Sequence, residues 1–466
     1  MGVKKNKKKK INEERDLEND GFADVDGEDA EGYASVTPNW KERELTSKYM
    51  SRRVKGPGFD IPFLVITLVI LAFGLIMLFS ASYARQSYLS EDPMWMFSRQ
   101  LFFAVTGLGI MFATASIRVS AISRFSMILL LAAFALLVLV LIIGIRLNGA
   151  TRWIAIGGED GFTVQPSEIA KLALVLAFAQ MICRYGRKRM ATFRYGVFPF
   201  ALVTGTMIIL LYLQPHLSAS IIIAVISLIM MFAGGTRLRW FLFAGMLLTA
   251  GIILMMMTSA RTVVVDAEHG DVQHSTIVEW DFSRFGYAGR RINAWMDPES
   301  DPLEGGFQIR QSLNAVGSGG LLGQGLGQSR QKHFHLPEEH NDFIFAVVGE
   351  ELGFIGSMLI LLLFALLIVR GYWLALNAKD RFSSLITIGI MSLLAIQVFL
   401  NVAVVTNLLP ATGISLPFFS YGGTALWVQM LQMGIVLSVS REIPTTADYE
   451  QRNKPDKPGE DEVLVN

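Results

Sequence analysis

The sequence predicts an all-α, polytopic membrane protein. Hydrophobic residues make up 52% of the 466 positions and charged residues only 17%. The apolar residues are gathered into long blocks, and blocks of about 17 to 25 apolar residues are long enough to cross a bilayer as helices. Basic residues collect in alternate connections between these blocks. These observations exclude a soluble globular protein and indicate about ten transmembrane helices.

Ten apolar blocks are the predicted spans, of which the second is short. They are Ile61–Ser82, Leu101–Ser116, Phe125–Ile145, Ile169–Cys183, Val197–Leu213, Ser218–Ala233, Trp240–Thr258, Phe343–Val369, Ser383–Thr406 and Thr424–Val439.

The basic residues predict the orientation, because positive charge in short loops resists translocation. With the N-terminus inside, every inside connection is basic. These connections contain Arg118 and Arg124; Arg184, Arg187, Lys188, Arg189 and Arg194; Arg237 and Arg239; and Arg370, Lys379 and Arg381. An even number of spans then places both termini in the cytoplasm and the long loop 259–341 outside the cell.

The two ends of the chain are predicted to be disordered cytoplasmic tails. Residues 1–58 contain no apolar run and pass from a lysine-rich start into an acidic tract, and residues 442–466 contain three prolines. The lysines are either solvated or attracted to anionic lipid. The transmembrane domain therefore occupies residues 59–441. Cys183 is the only cysteine of the chain, so no intramolecular disulfide can form. We expect membrane lipid, but no nucleic acid, among the partners of the protein.

Two features divide the long loop. The apolar runs Thr262–Val265 and Ser275–Val278 predict a small hairpin. Beyond it, many glycines interrupt short amphipathic pieces between residues 305 and 327. Such a segment can bring its backbone close to a ligand, and apolar residues such as Phe307 and Ile309 argue against a flexible linker.

Asp342 is the first candidate functional residue. It follows Leu336-Pro337-Glu338-Glu339-His340-Asn341 and directly precedes a long apolar run. A carboxylate at the edge of hydrocarbon is costly unless it is solvated, paired or used, which makes it a functional candidate. Asp342 is also a suitable N-cap for the following helix, so this segment alone supports a cap and a catalytic residue equally.

Four motifs carry a resemblance to a known family. They are Asn148-Gly149-Ala150-Thr151-Arg152-Trp153-Ile154, Gln165-Pro166-Ser167-Glu168-Ile169-Ala170-Lys171-Leu172, Asn341-Asp342-Phe343-Ile344-Phe345 with Gly349-Glu350-Glu351-Leu352-Gly353, and Leu416-Pro417-Phe418-Phe419-Ser420-Tyr421-Gly422-Gly423. With these motifs in order between about Phe59 and Arg441, the chain resembles the SEDS proteins (shape, elongation, division and sporulation).

The resemblance implies an activity and a place in the cell. It implies a peptidoglycan glycosyltransferase that polymerises lipid II at the outer face of the bacterial cytoplasmic membrane and releases polyprenyl pyrophosphate. Residues 325–338 resemble the cell-division branch, FtsW, more than the elongation branch, RodA, which implies a location at the division septum. The resemblance does not exclude the sporulation branch. It further implies Asp342 as the catalytic residue, and a class B penicillin-binding protein and other division proteins as partners. A lipid II flippase and a scaffold for division are the alternatives.

This chemistry requires a base and cations. Asp342 can accept the proton of the attacking sugar hydroxyl, and a partly desolvated carboxylate is a stronger base than one in water. Arg152, Lys171 and Lys332 are the candidates for binding pyrophosphate. Arg152 beside Trp153 is alternatively an interfacial anchor, and Lys171 is alternatively the ion-pair partner of Glu168 one helical turn away.

The remaining candidates are polar residues of the loops. Gln311 and Gln328 are predicted to contact sugar, and Ser415 and Ser420 to face the substrate from the segment rich in proline and glycine between the last two spans. Glu350 is either a second acid of the same cavity or a structural, hydrogen-bonded acid, and the structural role is preferred.

A metal is considered at two places. His333, His335 and His340 do not form a complete ligand set, so a histidine site is disfavoured. A divalent cation, Mg²⁺ or Mn²⁺, that bridges Asp342 and pyrophosphate is the preferred cofactor, because hard cations favour carboxylate and phosphate oxygens. No organic cofactor is expected.

The chain departs from the family pattern at two places. Where the family commonly has Gln-Pro-Asp-Leu-Gly-Thr, this chain has Gln214-Pro215-His216-Leu217-Ser218-Ala219. A role for that carboxylate therefore cannot be transferred to His216. The predicted hairpin in residues 262–278 is also longer than usual, and is either an insertion specific to a partner or a neutral loop.

Overall fold

The computed structural model describes residues 58–89, 92–147, 150–156, 162–265, 275–282, 285–299, 305–332 and 336–443. Both predicted tails, except for residues 58, 442 and 443, lie outside this range, as do Asn148, Gly149, His333 and His335.

Thirteen helices occupy most of the described chain. They are α1 (Ile61–Leu89), α2 (Trp95–Ser116), α3 (Val119–Ile143), α4 (Pro166–Met190), α5 (Phe193–Gly196), α6 (Phe198–Leu213), α7 (Leu217–Ala233), α8 (Leu238–Ser259), α9 (Gly286–Met296), α10 (Gly305–Gly319), α11 (Ile344–Leu376), α12 (Arg381–Val405) and α13 (Gly423–Arg441).

The helices confirm the predicted fold class. Nine helical segments of the described chain are long and apolar enough to cross a membrane, and α7 is a shorter apolar helix between two of them. Each of these ten corresponds to a predicted span. Local sequence explains several helix ends: Pro166 occupies the first turn of α4, where its missing N–H has no cost. Asp380 caps α12 by accepting a hydrogen bond from the Ser383 backbone N–H at 2.9 Å.

The centre of the helical bundle is formed by α4, α12 and α13. Most side chains of these helices are buried, and α13 packs along α2 while α4 packs along α3. In contrast, Ser259 is the only buried residue of α8, and the other side chains of that helix are at least partly exposed. A membrane protein can expose such a helix because lipid tails are as apolar as leucine side chains.

A glycine bends α11 about three turns after Asp342. Gly353 has φ 66° and ψ −167°, a conformation that divides the helix. The glycine-rich segment after α10 approaches this bend so closely that a Cβ atom at Gly353 would lie 2.3 Å from the Gly323 nitrogen. There, the backbone N–H of Gln324 donates to the carbonyl oxygen of Glu350 at 2.9 Å. The backbone of this segment therefore makes a close approach, as expected from its glycines, but the approach described here is to α11.

Five short strands were only partly predicted. β1 (Ile145–Leu147), β2 (Ala150–Ile156) and β3 (Phe162–Val164) form a small antiparallel sheet with β2 in the middle. This sheet was not predicted: β1 and β3 have only three residues each, which is too short for an alternating pattern. β4 (Ala260–Val265) and β5 (Ser275–Trp280) pair antiparallel, with Val263 opposite Ile277, and confirm the predicted hairpin.

Both ends of the described chain lie at one end of the bundle. Asp60, just before α1, forms an ion pair with Arg370 near the end of α11, with 2.6 Å between Asp60 Oδ2 and Arg370 Nη2. Its backbone N–H donates to the Ser440 hydroxyl, near the end of α13, at 3.2 Å. The sheet, the hairpin and the loop that contains Asp342 lie at the other ends of these helices. The cytoplasmic location of the termini remains a prediction from the basic connections.

Candidate active site

A cavity of about 1200 Å³ lies at the end of the bundle opposite to the chain ends. Its wall is built from the small sheet, the first turns of α4 and α7, the loop 337–343 and the segment 411–425. Parts of α1, α2, α9, α10 and α12 complete the wall. Segments that are distant in the sequence therefore converge on one cavity. All four motifs contribute residues to its wall, the first of them through Arg152 and Trp153.

Asp342 lies on the wall of this cavity, directly before α11. The side-chain amide of Asn401, a buried residue of α12, donates to the Asp342 carbonyl oxygen at 2.8 Å and to the Ile414 carbonyl oxygen at 2.7 Å. Phe343, and not Asp342, is the N-cap of α11, and no side chain caps this helix. The alternative role of Asp342 as a helix cap is therefore wrong.

The pKa of Asp342 is raised to about 6 from its ordinary value of 3.8. Burial is the largest cause, and the negative charge of Glu338 adds to it, while Arg152, Arg291 and His340 oppose it. A carboxylate with such a pKa is ionised at neutral pH and is a better proton acceptor than a solvated one.

Arg152 lies on β2 and reaches the same part of the cavity. One guanidinium nitrogen, Nη2, donates to the carbonyl oxygen of Pro215. The other terminal nitrogen lies near Gly413, where a Cβ atom would be 3.9 Å from Arg152 Nη1 and 3.1 Å from Asp342 Oδ2. Gly413 has φ 75°, so both its conformation and its missing side chain allow this approach. The structure thus brings the predicted base and the predicted arginine together.

The charged residues on the described cavity wall are mostly cationic. The seven cationic residues are Arg85, Arg99, Arg146, Arg152, Lys171, Arg290 and Arg291, and the three acidic residues are Glu168, Glu338 and Asp342. A concave surface with an excess of one charge focuses its field into the cavity and attracts ligands of opposite charge. The cavity is therefore suited to an anion.

Lys171 forms the ion pair considered from the sequence and also lines the cavity. Its Nζ atom lies 2.7 Å from Glu168 Oε1, and both side chains are buried. Both residues also line the cavity. The ion pair compensates the cost of burying the lysine and places its charge where a ligand can approach.

His216 begins α7 beside this pair. It is buried, lines the cavity and has a pKa well below the ordinary value of 6.5 because of burial and of the nearby charges of Arg152 and Lys171. His216 is therefore neutral at physiological pH. The place of the commonly acidic residue of the family is thus occupied by an uncharged side chain.

Lys332 lies elsewhere. Its Nζ atom is 2.8 Å from Glu351 Oε1 and donates to the Ser80 hydroxyl at 3.2 Å. These three residues are buried between α1, α11 and the loop before Leu336, and none of them lines the cavity. Lys332 therefore forms a buried ion pair in the packing between α1 and α11, and it does not line the cavity.

The other predicted polar residues divide between the cavity and its surroundings. Ser415 lines the cavity, whereas Gln311 and Gln328 do not, and Gln328 is exposed. The Ser420 hydroxyl donates to the Asn341 carbonyl oxygen at 2.7 Å and accepts from the Leu416 backbone N–H at 2.8 Å. Ser420 thus supports the segment that contains Asp342 from behind.

Glu350 has the predicted structural role. It accepts hydrogen bonds from the backbone N–H of Arg330 at 2.9 Å and from the Ser329 hydroxyl. His340 does line the cavity, and its carbonyl oxygen accepts from the Tyr421 backbone N–H at 2.9 Å. No group of three His, Cys, Asp or Glu residues in the described part of the chain is placed to bind a metal ion.

Several wall residues were not singled out from the sequence. Arg85 forms an ion pair with Glu339, the residue before His340, with 3.1 Å between Arg85 Nη1 and Glu339 Oε2. Arg291 Nη1 donates a hydrogen bond to Gln308 Oε1 at 3.4 Å. Two signals could have found such residues: arginines at the outer ends of spans, as at Arg85, and the Arg290-Arg291 pair in an otherwise amphipathic segment. Asn401 gave no such signal, because a single asparagine in an apolar helix does not reveal its partners.

Comparison with known proteins identifies the family. The model of the cell cycle protein family FtsW/RodA/SpoVE matches residues 61–444. Stage V sporulation protein E of Bacillus subtilis (strain 168) is 39% identical over 384 residues, which are 82% of this chain and 97% of that protein. A probable peptidoglycan glycosyltransferase FtsW of Geobacter sp. (strain M18) is 36% identical over 391 residues, which are 84% of this chain and 98% of that protein.

Solved structures show the same fold. A chain of a peptidoglycan synthase complex, described for its coordination of polymerization and crosslinking, superposes with a TM-score of 0.65 at 27% identity, over 82% of this chain and 98% of that one. The rod shape determining protein RodA of Thermus thermophilus superposes with a TM-score of 0.58 at 27% identity, over 83% of this chain and 98% of that one. The chain therefore belongs to the SEDS family, the family of FtsW, RodA and SpoVE.

Proposed function

We propose that this protein is a glycosyltransferase that polymerises lipid II into glycan strands at the outer face of the cytoplasmic membrane. The observation that carries the proposal is a half-buried carboxylate, Asp342, with a raised pKa on the wall of a large cavity whose charges are mainly positive. The names of the relatives support the same activity. Septal location and a role in division are the finer parts of the proposal.

Asp342 accepts a proton in the proposed reaction. A hydroxyl of the acceptor sugar attacks the anomeric carbon of the donor, a new carbon–oxygen bond forms, and the bond to pyrophosphate breaks. The hydroxyl proton passes to the Asp342 carboxylate as the new bond forms. The two hydrogen bonds from Asn401 fix the backbone of Asp342 against the segment that contains Ile414, which positions the base before the substrate arrives.

The cations stabilise the leaving group. Arg152 and Asp342 both approach Gly413, and the guanidinium of Arg152 can contact two phosphate oxygens at once. Lys171, whose charge also acts on His216, adds a point charge. Negative charge that develops on the pyrophosphate is then stabilised by groups that are already in place.

The sugar contacts are reassigned in part. Ser415 stays a proposed contact, and Gln308 is a better candidate than Gln311 or Gln328 because it lines the cavity. Lys332 and Ser420 are proposed to support the site and not to contact the substrate.

A divalent cation, Mg²⁺ or Mn²⁺, fits the site only with help from the substrate. Asp342 and Glu338 are two carboxylates close enough for Glu338 to raise the pKa of Asp342, and pyrophosphate oxygens would complete the oxygen ligands that such ions require. When bound, the ion would neutralise charge on the pyrophosphate.

The proposed partner is a class B penicillin-binding protein of the division machinery. The related chain that belongs to a peptidoglycan synthase complex supports such an assembly. Cross-linking by the partner would follow polymerisation by this protein.

The test is polymerisation of lipid II by the purified protein with its partner, whose transpeptidase site has been inactivated. We expect glycan strands from the wild type and a loss of at least about 100-fold, typical of removing a general base, in Asp342→Asn and Asp342→Ala. Asp380→Asn is the matched control, because Asp380 caps α12 at the other end of the bundle and asparagine also caps helices.

The outcomes separate the proposal from its alternatives. Glycan from Asp380→Asn but not from the Asp342 variants would support catalysis by Asp342. Equal polymerisation by the wild type and both Asp342 variants would remove Asp342 from the reaction. Transbilayer movement of labelled lipid II without any glycan product, in the presence of Mg²⁺ and partner, would instead favour a flippase.

A further inference from the structure

A second cavity of about 590 Å³ lies near the C-terminal end of α4, far from the active site. Arg184 on its rim is 13 residues after Lys171 on the same helix, which corresponds to about 20 Å along the axis. The cavity therefore lies toward the end of the bundle where the described chain begins and ends. The proposed reaction uses none of its residues.

The wall of this cavity is divided by polarity. Four of its lining residues are apolar and come from three helices: Met127 and Leu130 of α3, Met181 of α4 and Val203 of α6. Leu130 and Met181 are buried and the other two are half-buried, whereas Arg184 and Arg189, which line the same cavity together with Tyr185, are exposed. An apolar pocket below a cationic rim matches a molecule with a hydrocarbon chain and an anionic head.

The positive charge of the rim is not compensated locally. The sequence contains no Asp or Glu between Ile169 and Val265, and within the described residues Arg184 has no carboxylate at ion-pair distance. The guanidinium of Arg189 lies 5.8 Å from the ring centroid of Tyr195, a contact that orients the side chain without neutralising it. The rim can therefore accept a negative charge from a ligand.

We propose that this cavity binds one anionic phospholipid, with an acyl chain among Met127, Leu130, Met181 and Val203 and the phosphate between Arg184 and Arg189. Arginine contacts phosphate oxygens in a bidentate manner, and basic pockets between transmembrane helices are suited to lipid head groups. The site is independent of the proposed transferase reaction.

The test compares lipid binding by native mass spectrometry of the full-length protein. The probes are phosphatidylglycerol and phosphatidylcholine with identical acyl chains. We expect tighter binding of phosphatidylglycerol to the wild type, and a decrease in its affinity of roughly tenfold or more in the double variant Arg184→Gln/Arg189→Gln, since each basic residue near an anionic lipid contributes substantially.

The double variant Arg187→Gln/Arg194→Gln is the matched control. It removes the same charge from the same segment and also removes one guanidinium that stacks on Tyr195, at 5.8 Å, but neither residue lines the cavity. An equal loss of phosphatidylglycerol binding in both double variants would overturn the proposal, because diffuse charge would then explain the binding.

Val203→Trp tests the apolar half. Val203 is half-buried on the cavity wall, so a larger ring fills the space while every positive charge is kept. We expect weaker binding of phosphatidylglycerol with an unchanged circular dichroism spectrum. Unchanged lipid binding in this variant would place the lipid outside the cavity and would also overturn the proposal.

Discussion

At the residue scale, the site depends on one carboxylate whose proton affinity is set by its neighbours. Burial and the charge of Glu338 raise the pKa of Asp342, while the cations Arg152 and Arg291 lower it. Such opposing effects leave the group ionised at neutral pH but more basic than a solvated aspartate. The neighbours thus control the pH range in which Asp342 can act.

We predict that the polymerisation rate falls as the pH decreases through about 6, because protonated Asp342 cannot accept a second proton. Glu338→Gln removes a negative charge that raises this pKa, so the acid limb of its pH–rate profile should move to lower pH. The measurement is the rate at saturating lipid II between pH 4.5 and 8.5, a range chosen around the ordinary and raised values. If the acid limb is unchanged by Glu338→Gln, the titrating group is not Asp342.

At the element scale, α11 connects the site to a buried polar cluster. Asp342 precedes its first residue, and its second turn carries Glu350 and Glu351, which accept hydrogen bonds from residues 329–332. At the bend, Gly353 packs against the backbone of residues 321–323, which follow α10. The helix that follows the proposed base is thus fixed by polar contacts along its first three turns.

We predict that Lys332→Met lowers the free energy of unfolding by about 3 to 5 kcal/mol, the usual cost of leaving one member of a buried ion pair alone. The affinity for lipid II of the folded fraction should be unchanged, because Lys332 does not line the cavity. The double variant Lys332→Met/Glu351→Gln should recover part of the stability, since no unpaired charge stays buried.

The measurements are thermal unfolding in detergent and lipid II binding for the three variants, with Glu351→Gln as the third. A variant Lys332→Met that is as stable as the wild type but binds lipid II weakly would restore the original prediction of a substrate contact.

At the scale of the whole molecule, the described chain has two chemically different ends. One end carries the cavity with Asp342, and the other joins Asp60, Arg370 and Ser440 beside the basic connections. The basic connections predict that the second end faces the cytoplasm.

We predict that Ile156→Cys reacts with a membrane-impermeant maleimide in intact cells, while Ile117→Cys reacts only after lysis. Ile156 ends β2, in the sheet at the cavity end, and is 45% exposed, and Ile117 is 46% exposed at the other end. Both substitutions are made in a Cys183→Ser background, because Cys183 is the only native cysteine. The reversed labelling pattern would invert the topology.

Much of this architecture could be predicted from the sequence, because a bilayer requires long apolar helices whose number and order are visible in composition. Asp342, Arg152 and Lys171 were also predicted, since each is an ionisable residue near an apolar run. Lys332 has the same appearance in the sequence, and only the packing of α1 against α11 shows that its charge is used by Glu351. The support of Asp342 by Asn401 joins residues 59 positions apart, and no local pattern encodes such a contact.

The excess of positive charge in the active-site cavity has a consequence for the end of the catalytic cycle. In the proposed reaction, the cations that attract a lipid-linked pyrophosphate also retain the pyrophosphate that departs, which carries more negative charge once it is free of the sugar. Departure of this product must therefore overcome the attraction that made entry favourable. Turnover would then be limited by the exit of polyprenyl pyrophosphate into the membrane and not by formation of the glycosidic bond.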